Sequence, residues 1–117
     1  MVKHDNELGS ISITADVFTW LAGDAATRCF GVKGMAGRSK ESGLVHLLRR
    51  ESMTKGVLVR PDDKGGVSIE LHIVVENGVN LAALSGSIMN EVSYKVSSAT
   101  GVPVSRVDVF IDSMHVS

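Results

Sequence analysis

Four histidines, one cysteine, 13 acidic residues and a scatter of serines are what this 117-residue chain has for chemistry. Their spacing assembles little. A nucleophilic hydrolase holds its serine on a sharp strand-to-helix turn within G-x-S-x-G, and that string is absent. His46, His72 and His115 fall on unrelated stretches, so a Ser-His-Asp site would have to be a coincidence of folding. No two of His4, His46, His72 and His115 stand at the i, i+4 or short-loop spacing that converges on a metal ion. His72 lies two residues from Glu70, which reads as a neighbour pair on a solvated strand face. Gly37-Arg38-Ser39 imitates the end of a phosphate-binding loop, but Val32 stands where the first glycine belongs and the lysine is missing. These observations predict no catalytic residues, no metal and no cofactor, and therefore a non-enzyme.

Two features point towards partners instead. Gly31-Val32-Lys33-Gly34 satisfies the G-x-x-G string with which KH domains clamp an RNA backbone, although it follows a predicted helix rather than leading into one. The plainer reading is a helix-capping turn. Net charge is −1, against a general nucleic-acid binder, but the distribution is uneven. Lys33 to Arg60 holds seven basic residues against two acids, a local balance of +5, which leaves −6 on the rest. Within it Arg38, Lys40, Arg49, Arg50 and Lys55 are the candidate contacts to an anionic partner: an acidic protein surface, or lipid headgroups helped by Leu44, Leu47 and Leu48. A regulatory subunit docked on a metabolic or lipid-synthesis enzyme would use Arg49, Arg50 and Lys55 in that way.

The elements that must position these residues follow from periodicity. Ser10 to Ile13 alternates as a short strand. Thr14 is the expected N-cap of a helix whose inner stripe is Val17, Phe18, Leu21, Ala22, Ala25 and Cys29, with Trp20 just outside it. Arg38 to Lys55 is an irregular excursion. Val57–Arg60 and Val67–Glu76 form a hairpin closed by Pro61 to Gly66, and the second strand puts Val67, Ile69, Leu71, Ile73 and Val75 on one face. Asn80 caps a second helix with the inner stripe Leu81, Leu84, Ile88, Val92, Val96 and Ala99, and with Tyr94 outward. After Thr100-Gly101-Val102-Pro103 a last strand runs from Val104 to Asp112, with Val107, Val109 and Ile111 inward and Phe110 outward. The fold class is α+β: a two-layer sandwich of a small, mainly antiparallel sheet with both long helices on one face. The other face stays open and carries Ser10, Ser12, Leu58, Arg60, Glu70, His72, Val74, Glu76, Arg106, Asp108, Phe110 and Asp112. Residues 1–8 are expected to be a disordered tail and 9–117 a single domain. Cys29 has no intrachain partner, and no signal-peptide core or membrane-length apolar run occurs, which favours a cytoplasmic setting.

The ordered set of segments resembles a known family. Gly9-Ser10-Ile11-Ser12-Ile13, Leu21-Ala22-Gly23-Asp24-Ala25-Ala26, Gly31-Val32-Lys33-Gly34-Met35, Gly66 to Val75, Gly78-Val79-Asn80-Leu81 and Thr100 to Val104 are similar in order to the alkaline shock proteins, the envelope stress response proteins of Gram-positive bacteria. The resemblance covers about Gly9 to Met114. It implies a small cytoplasmic non-enzyme without cofactors that self-associates and sits at the inner face of the membrane through a separate membrane-embedded anchor protein. It carries no catalytic motif; Gly9, Ala22, Ala25, Gly31, Gly78 and Gly101 read as its packing and turn positions. Trp20, Asn77 and the Arg38–Lys55 stretch depart from the family pattern. On this reading Trp20, Tyr94 and Phe110 are the outward aromatics expected to contact a partner or a second copy.

Overall fold

The computed structural model describes residues 2–35 and 55–116. In chain order these form β1 (Val2–Asn6), β2 (Gly9–Ile13), α1 (Ala15–Thr27), β3 (Val32–Met35), β4 (Val57–Pro61), β5 (Val67–Glu76), α2 (Leu81–Thr100) and β6 (Val104–His115). The α+β class and the two-layer arrangement are those expected. Strand β5 sits in the middle. Its alternation is carried through without a break: Val67, Ile69, Leu71, Ile73 and Val75 are all buried, while Ser68, Glu70, His72 and Val74 are half-buried on the opposite side. Strands β4 and β3 pair antiparallel with successive lengths of one β5 edge, Val57 to Pro61 opposite Leu71 to Val67 and Val32 to Met35 opposite Val75 to Ile73. Strand β6 takes the other edge.

The β5–β6 pairing is the one parallel pairing among the described strands, and it is the longest. The cause is the length of α2. Twenty residues of helix rise about 30 Å, close to the span of the ten-residue β5, so the chain is returned to the starting end before β6 begins. The start of both strands is pinned there, Val67 N–H donating to the Pro103 carbonyl at 3.0 Å. Gly66 is required at that junction because a Cβ would lie 2.5 Å from the same carbonyl oxygen. The preceding turn is closed by Asp62, whose Oδ1 accepts from the N–H groups of Lys64 and Gly66, each at 2.8 Å.

Both helices pack on the buried side of the sheet, α1 over β3 and β4, α2 over β6. The Asn80 side chain accepts from Ala83 N–H at 3.0 Å, and Gly101, at φ +74°, ends α2 with its N–H on the Ser97 carbonyl. Leu84, Ile88, Val92 and Val96 are buried, whereas Leu81 and Ala99, expected in the same stripe, are exposed because they lie in the terminal turns. In α1, Phe18, Ala22 and Ala25 hold the inner line and Val17, one residue from Phe18 and so turned about 100° away, is exposed. Thr14 is the N-cap residue, but its side chain makes no capping bond, and the helix ends at Thr27, two residues short of Cys29.

The amino-terminal segment differs from a disordered tail. Val2–Asn6 pairs antiparallel with Gly9–Ile13 in a two-stranded sheet of their own, with Asn6 Oδ1 accepting from Leu8 and Gly9 N–H at the turn. Such a hairpin is marginal by itself. Val2, buried, and Ile13 anchor its root to the core cluster. This arrangement takes Ser10 and Ser12 off the open face of the main sheet. The Leu71→Ala variant is expected to lose about 2–5 kcal/mol of stability in urea unfolding, against well under about 1 kcal/mol for Leu58→Ala on the open face; similar losses at the two positions would contradict the assignment of faces.

Candidate functional site

The side chains that face away from the helices meet in rows set by strand register. Leu58, Glu70 and Asp108 form one row, Arg60, Ser68 and Arg106 a second, and His72 with Phe110 a third. His72 is at the centre. Its Nε2 lies 2.7 Å from Glu70 Oε2 and its Nδ1 3.1 and 3.2 Å from the two Asp112 carboxylate oxygens. Its ring stacks on Phe110, with centroids 4.8 Å apart and planes 9° from parallel. A register irregularity after Ile111 lets Asp112 reach the ring: Ile111 pairs with Ile73, yet Ser113, not Asp112, pairs with Val74. Arg60 reaches within 4.0 Å of Glu70, and the Arg106 Nε donates to Asp108 at 2.9 and 3.0 Å.

Only a doubly protonated imidazole donates from both nitrogens, so this arrangement favours the imidazolium. The hydrogen bond to Glu70 has the largest effect on the His72 pKa and raises it; partial burial, next in size, opposes it, and the hydrogen bond to Asp112 with the charges of both carboxylates leaves the pKa above its ordinary value. With both nitrogens committed to carboxylates, the ring is not arranged to take a proton from a nucleophile. The same carboxylates point at the histidine rather than at a common centre, and among the described residues no group of three or more His, Cys, Asp or Glu side chains is placed to hold a metal ion. Around this polar knot Leu58 and Phe110 remain 48% and 45% exposed. Such a surface suits recognition more than turnover.

The residues singled out in the sequence are spread over the molecule. Phe110 is on the open sheet face, Tyr94 is 72% exposed on α2 in the other layer, and Trp20 on α1 is half-buried. They do not form one patch. Lys55 is half-buried in the turn that leads into β4, while Arg38, Lys40, Arg49 and Arg50 lie outside the described residues. Gly31 has φ +99° and packs so closely on Val79 that a Cβ would come within 2.9 Å of its Cγ1. From there the chain enters β3 directly, with the Gly31 carbonyl accepting from Glu76 N–H and Gly34 opposite Val74. Gly31 to Gly34 is thus a turn followed by paired strand, not a loop at the start of a helix, and the KH-like clamp loses its geometry. Cys29 is half-buried with its pKa pushed up by burial and then by Glu91, which keeps it a thiol.

One residue escapes the sequence reading. Asp24 is a buried carboxylate, 6% exposed, in the second half of α1. It accepts from Arg28 Nε at 3.1 and 3.2 Å and from the Lys95 ammonium on α2. Burial alone would raise its pKa, but the hydrogen bonds and charges of Lys95 and Arg28 outweigh it and the carboxyl is held below its ordinary range. The available signal is its position three residues after Leu21, on the inner side of the helix and inside the small-residue run Ala22 to Ala26.

The model of the alkaline shock protein family, described by a cell envelope-related function, matches residues 3–116. The uncharacterized protein YloU of Bacillus subtilis (strain 168) is 30% identical over 110 residues, covering 93% of this chain and 91% of the relative. The uncharacterized protein Spy1614 of Streptococcus pyogenes serotype M6 is 33% identical over 116 residues, covering 98% and 95%. No solved structure matches the chain.

Two measurements check this geometry. In an NMR titration His72 is expected to titrate above its ordinary value of 6.5, and Glu70→Gln to bring it down; an unshifted His72 would remove the carboxylate bracket. Because the folded-state pKa is the raised one, the stability His72 contributes is full below its unfolded pKa and is lost as pH rises through the folded pKa. The opposite sign holds for Asp24, whose contribution is present above its unfolded pKa and is lost as pH falls through its depressed folded value. Lys95→Met is therefore expected to cost stability, on the order of 1–3 kcal/mol at neutral pH given the partial exposure of Lys95, and much less in acid; a pH-independent loss would mean that only packing had been removed.

Proposed function

Because this chain belongs to the alkaline shock protein family, whose function is cell envelope-related, we propose that it is a non-enzymatic scaffold that associates with itself and docks onto a membrane-anchored partner. The observation that carries this reading is the open sheet face, where His72 is tied into a carboxylate bracket while Leu58 and Phe110 stay exposed beside it. It offers apolar contact within a ring of charge, the composition of a protein-docking surface. Among the described residues no helix is long and apolar enough to cross a membrane; in this proposal a membrane-embedded partner supplies the contact with the envelope. The basic residues Arg38, Lys40, Arg49, Arg50 and Lys55 supply a second contact, complementary to acidic side chains of that partner.

A regulatory subunit of a soluble enzyme would draw on the same basic residues, and salt separates the two readings. Affinity capture of the tagged chain from gently solubilised cells, with RNase-treated and high-salt arms, is the test. Untagged copies and a small membrane protein are expected, unchanged by RNase. A soluble enzyme lost in high salt would support the regulatory reading, and recovered RNA would return the chain to the nucleic-acid class. Phe110→Glu is expected to lower recovery of the membrane partner about tenfold or more without moving the thermal midpoint much; full recovery would take the open face out of the docking surface and leave Tyr94 as the aromatic to substitute next.

A further inference from the structure

The two edges of the main sheet are unlike. On one side β5 is bordered by two short pieces in succession, β3 with an irregularity between Val32 and Gly34, and β4 ending in Pro61. Lysine, proline, short length and bulges are the usual means by which an edge is kept from pairing further, and Lys33, Pro61 and the β3 irregularity provide them there. On the other side stands β6, 12 residues long with no lysine and no proline, hydrogen-bonded among the described strands only to β5. The chain leaves β3 at Met35 and re-enters at Lys55 on the far side of β5 from β6. Val109 and Ile111 on this edge face the helices and are half-buried, although Leu71 and Ile73, their β5 partners, are completely buried. The core layer is unfinished along this line.

The sequence of β6 specifies what would finish it. Its register against β5 is unbroken from Arg106 to Ile111, with irregularities on either side. Antiparallel pairing of two such strands about a two-fold axis must place like faces together, so the axis passes through a residue rather than between two. An axis at Asp108 sets that acid against its own copy, and one at Phe110 sets Asp108 against Asp112; both oppose like charges. An axis at Val107 pairs Arg106 with Asp108 but runs the strand into Pro103 after a short overlap. An axis at Val109 sets Arg106 opposite Asp112 twice, Val107 opposite Ile111 twice and Val109 against itself. The Arg106 and Asp112 side chains, 72% and 44% exposed, are paired within the chain with Asp108 and His72, and would meet each other across the seam by exchanging or sharing those partners.

We propose that two copies of this chain pair antiparallel along the edge of β6 that no other described strand occupies, centred on Val109, with Arg106 of each strand facing Asp112 of the other. The proposal rests on the self-association inferred above and names its surface. The two sheets join into one, and the half-buried Val109 and Ile111 are covered by Val109 and Val107 of the second copy.

Sedimentation equilibrium of the full chain, with thermal unfolding as the control for folding, tests it. Arg106→Asp is expected to weaken self-association at least about tenfold, because two attractive pairs become repulsive ones. The double variant Arg106→Asp with Asp112→Arg restores the pairing and is expected to return the affinity to within a few-fold of the parent. Hydrogen exchange on the unsubstituted chain provides a readout that needs no variant: amides of β6 between Arg106 and Asp112 gain protection as concentration rises. Self-association that ignores the charge reversal, or that leaves β6 amides unprotected, overturns the edge pairing and leaves the scaffold reading in place. A chain that stays monomeric at every concentration overturns both.

Discussion

The alternation of Val67, Ile69, Leu71, Ile73 and Val75 is the constraint on which the rest of this molecule depends. A strand with every second side chain completely or almost completely buried must have a cover on one face and strand partners on both edges, and all the other elements are placed to supply them. Each of these side chains contributes roughly 1.5–3 kcal/mol when removed from water. A one-residue slip would exchange them for Ser68, Glu70, His72 and Val74. The register is therefore strongly fixed, and with it the rows on the opposite face. The meeting of His72 with Glu70, Phe110 and Asp112 follows from a core that never touches them.

The same constraint explains which parts can be read in the sequence. Val57–Pro61, Val67–Glu76 and Leu81–Thr100 announce themselves through periodicity, caps and turn residues, since local chemistry and burial agree there. The open face is legible as a set, because Leu58, Arg60, Glu70, His72, Arg106, Asp108, Phe110 and Asp112 all follow from strand alternation. Its connections are not. The bond from His72 to Asp112 depends on a parallel register and an irregularity at one residue, neither of which leaves a mark in composition. The strand at Val2–Asn6 stays hidden because four of its five residues are exposed, and only Val2 carries the anchor. Asp24 stays hidden because a single acid in a helical stripe looks like a surface residue until Lys95 arrives from 71 positions away.

The buried Asp24 also shows how the helical layer is held in one arrangement. The small residues Ala22, Ala25 and Ala26 let α1 come close to its neighbours but specify little about its rotation. A carboxylate that must meet an ammonium from α2 and a guanidinium from its own helix does specify it, because a misplaced α1 would bury an unpaired charge. Apolar packing supplies the stability of the two layers, and the ion cluster restricts how they fit.

For a protein of a cell envelope-related family, the separation of layers has a further consequence. Phe110 and Tyr94 lie on opposite sides of the sandwich, so a partner that covers one leaves the other available. An edge contact uses neither face. Two copies joined along β6 would extend the open sheet face across the seam, doubling the row of His72 and Phe110 rather than hiding it, and would leave both helical layers outward. A scaffold needs this independence: the contact that assembles it must not occupy the surface that recognises its partner. In this fold the independence comes from geometry alone, since the hydrogen-bonding direction of a strand is perpendicular to the direction in which its side chains point.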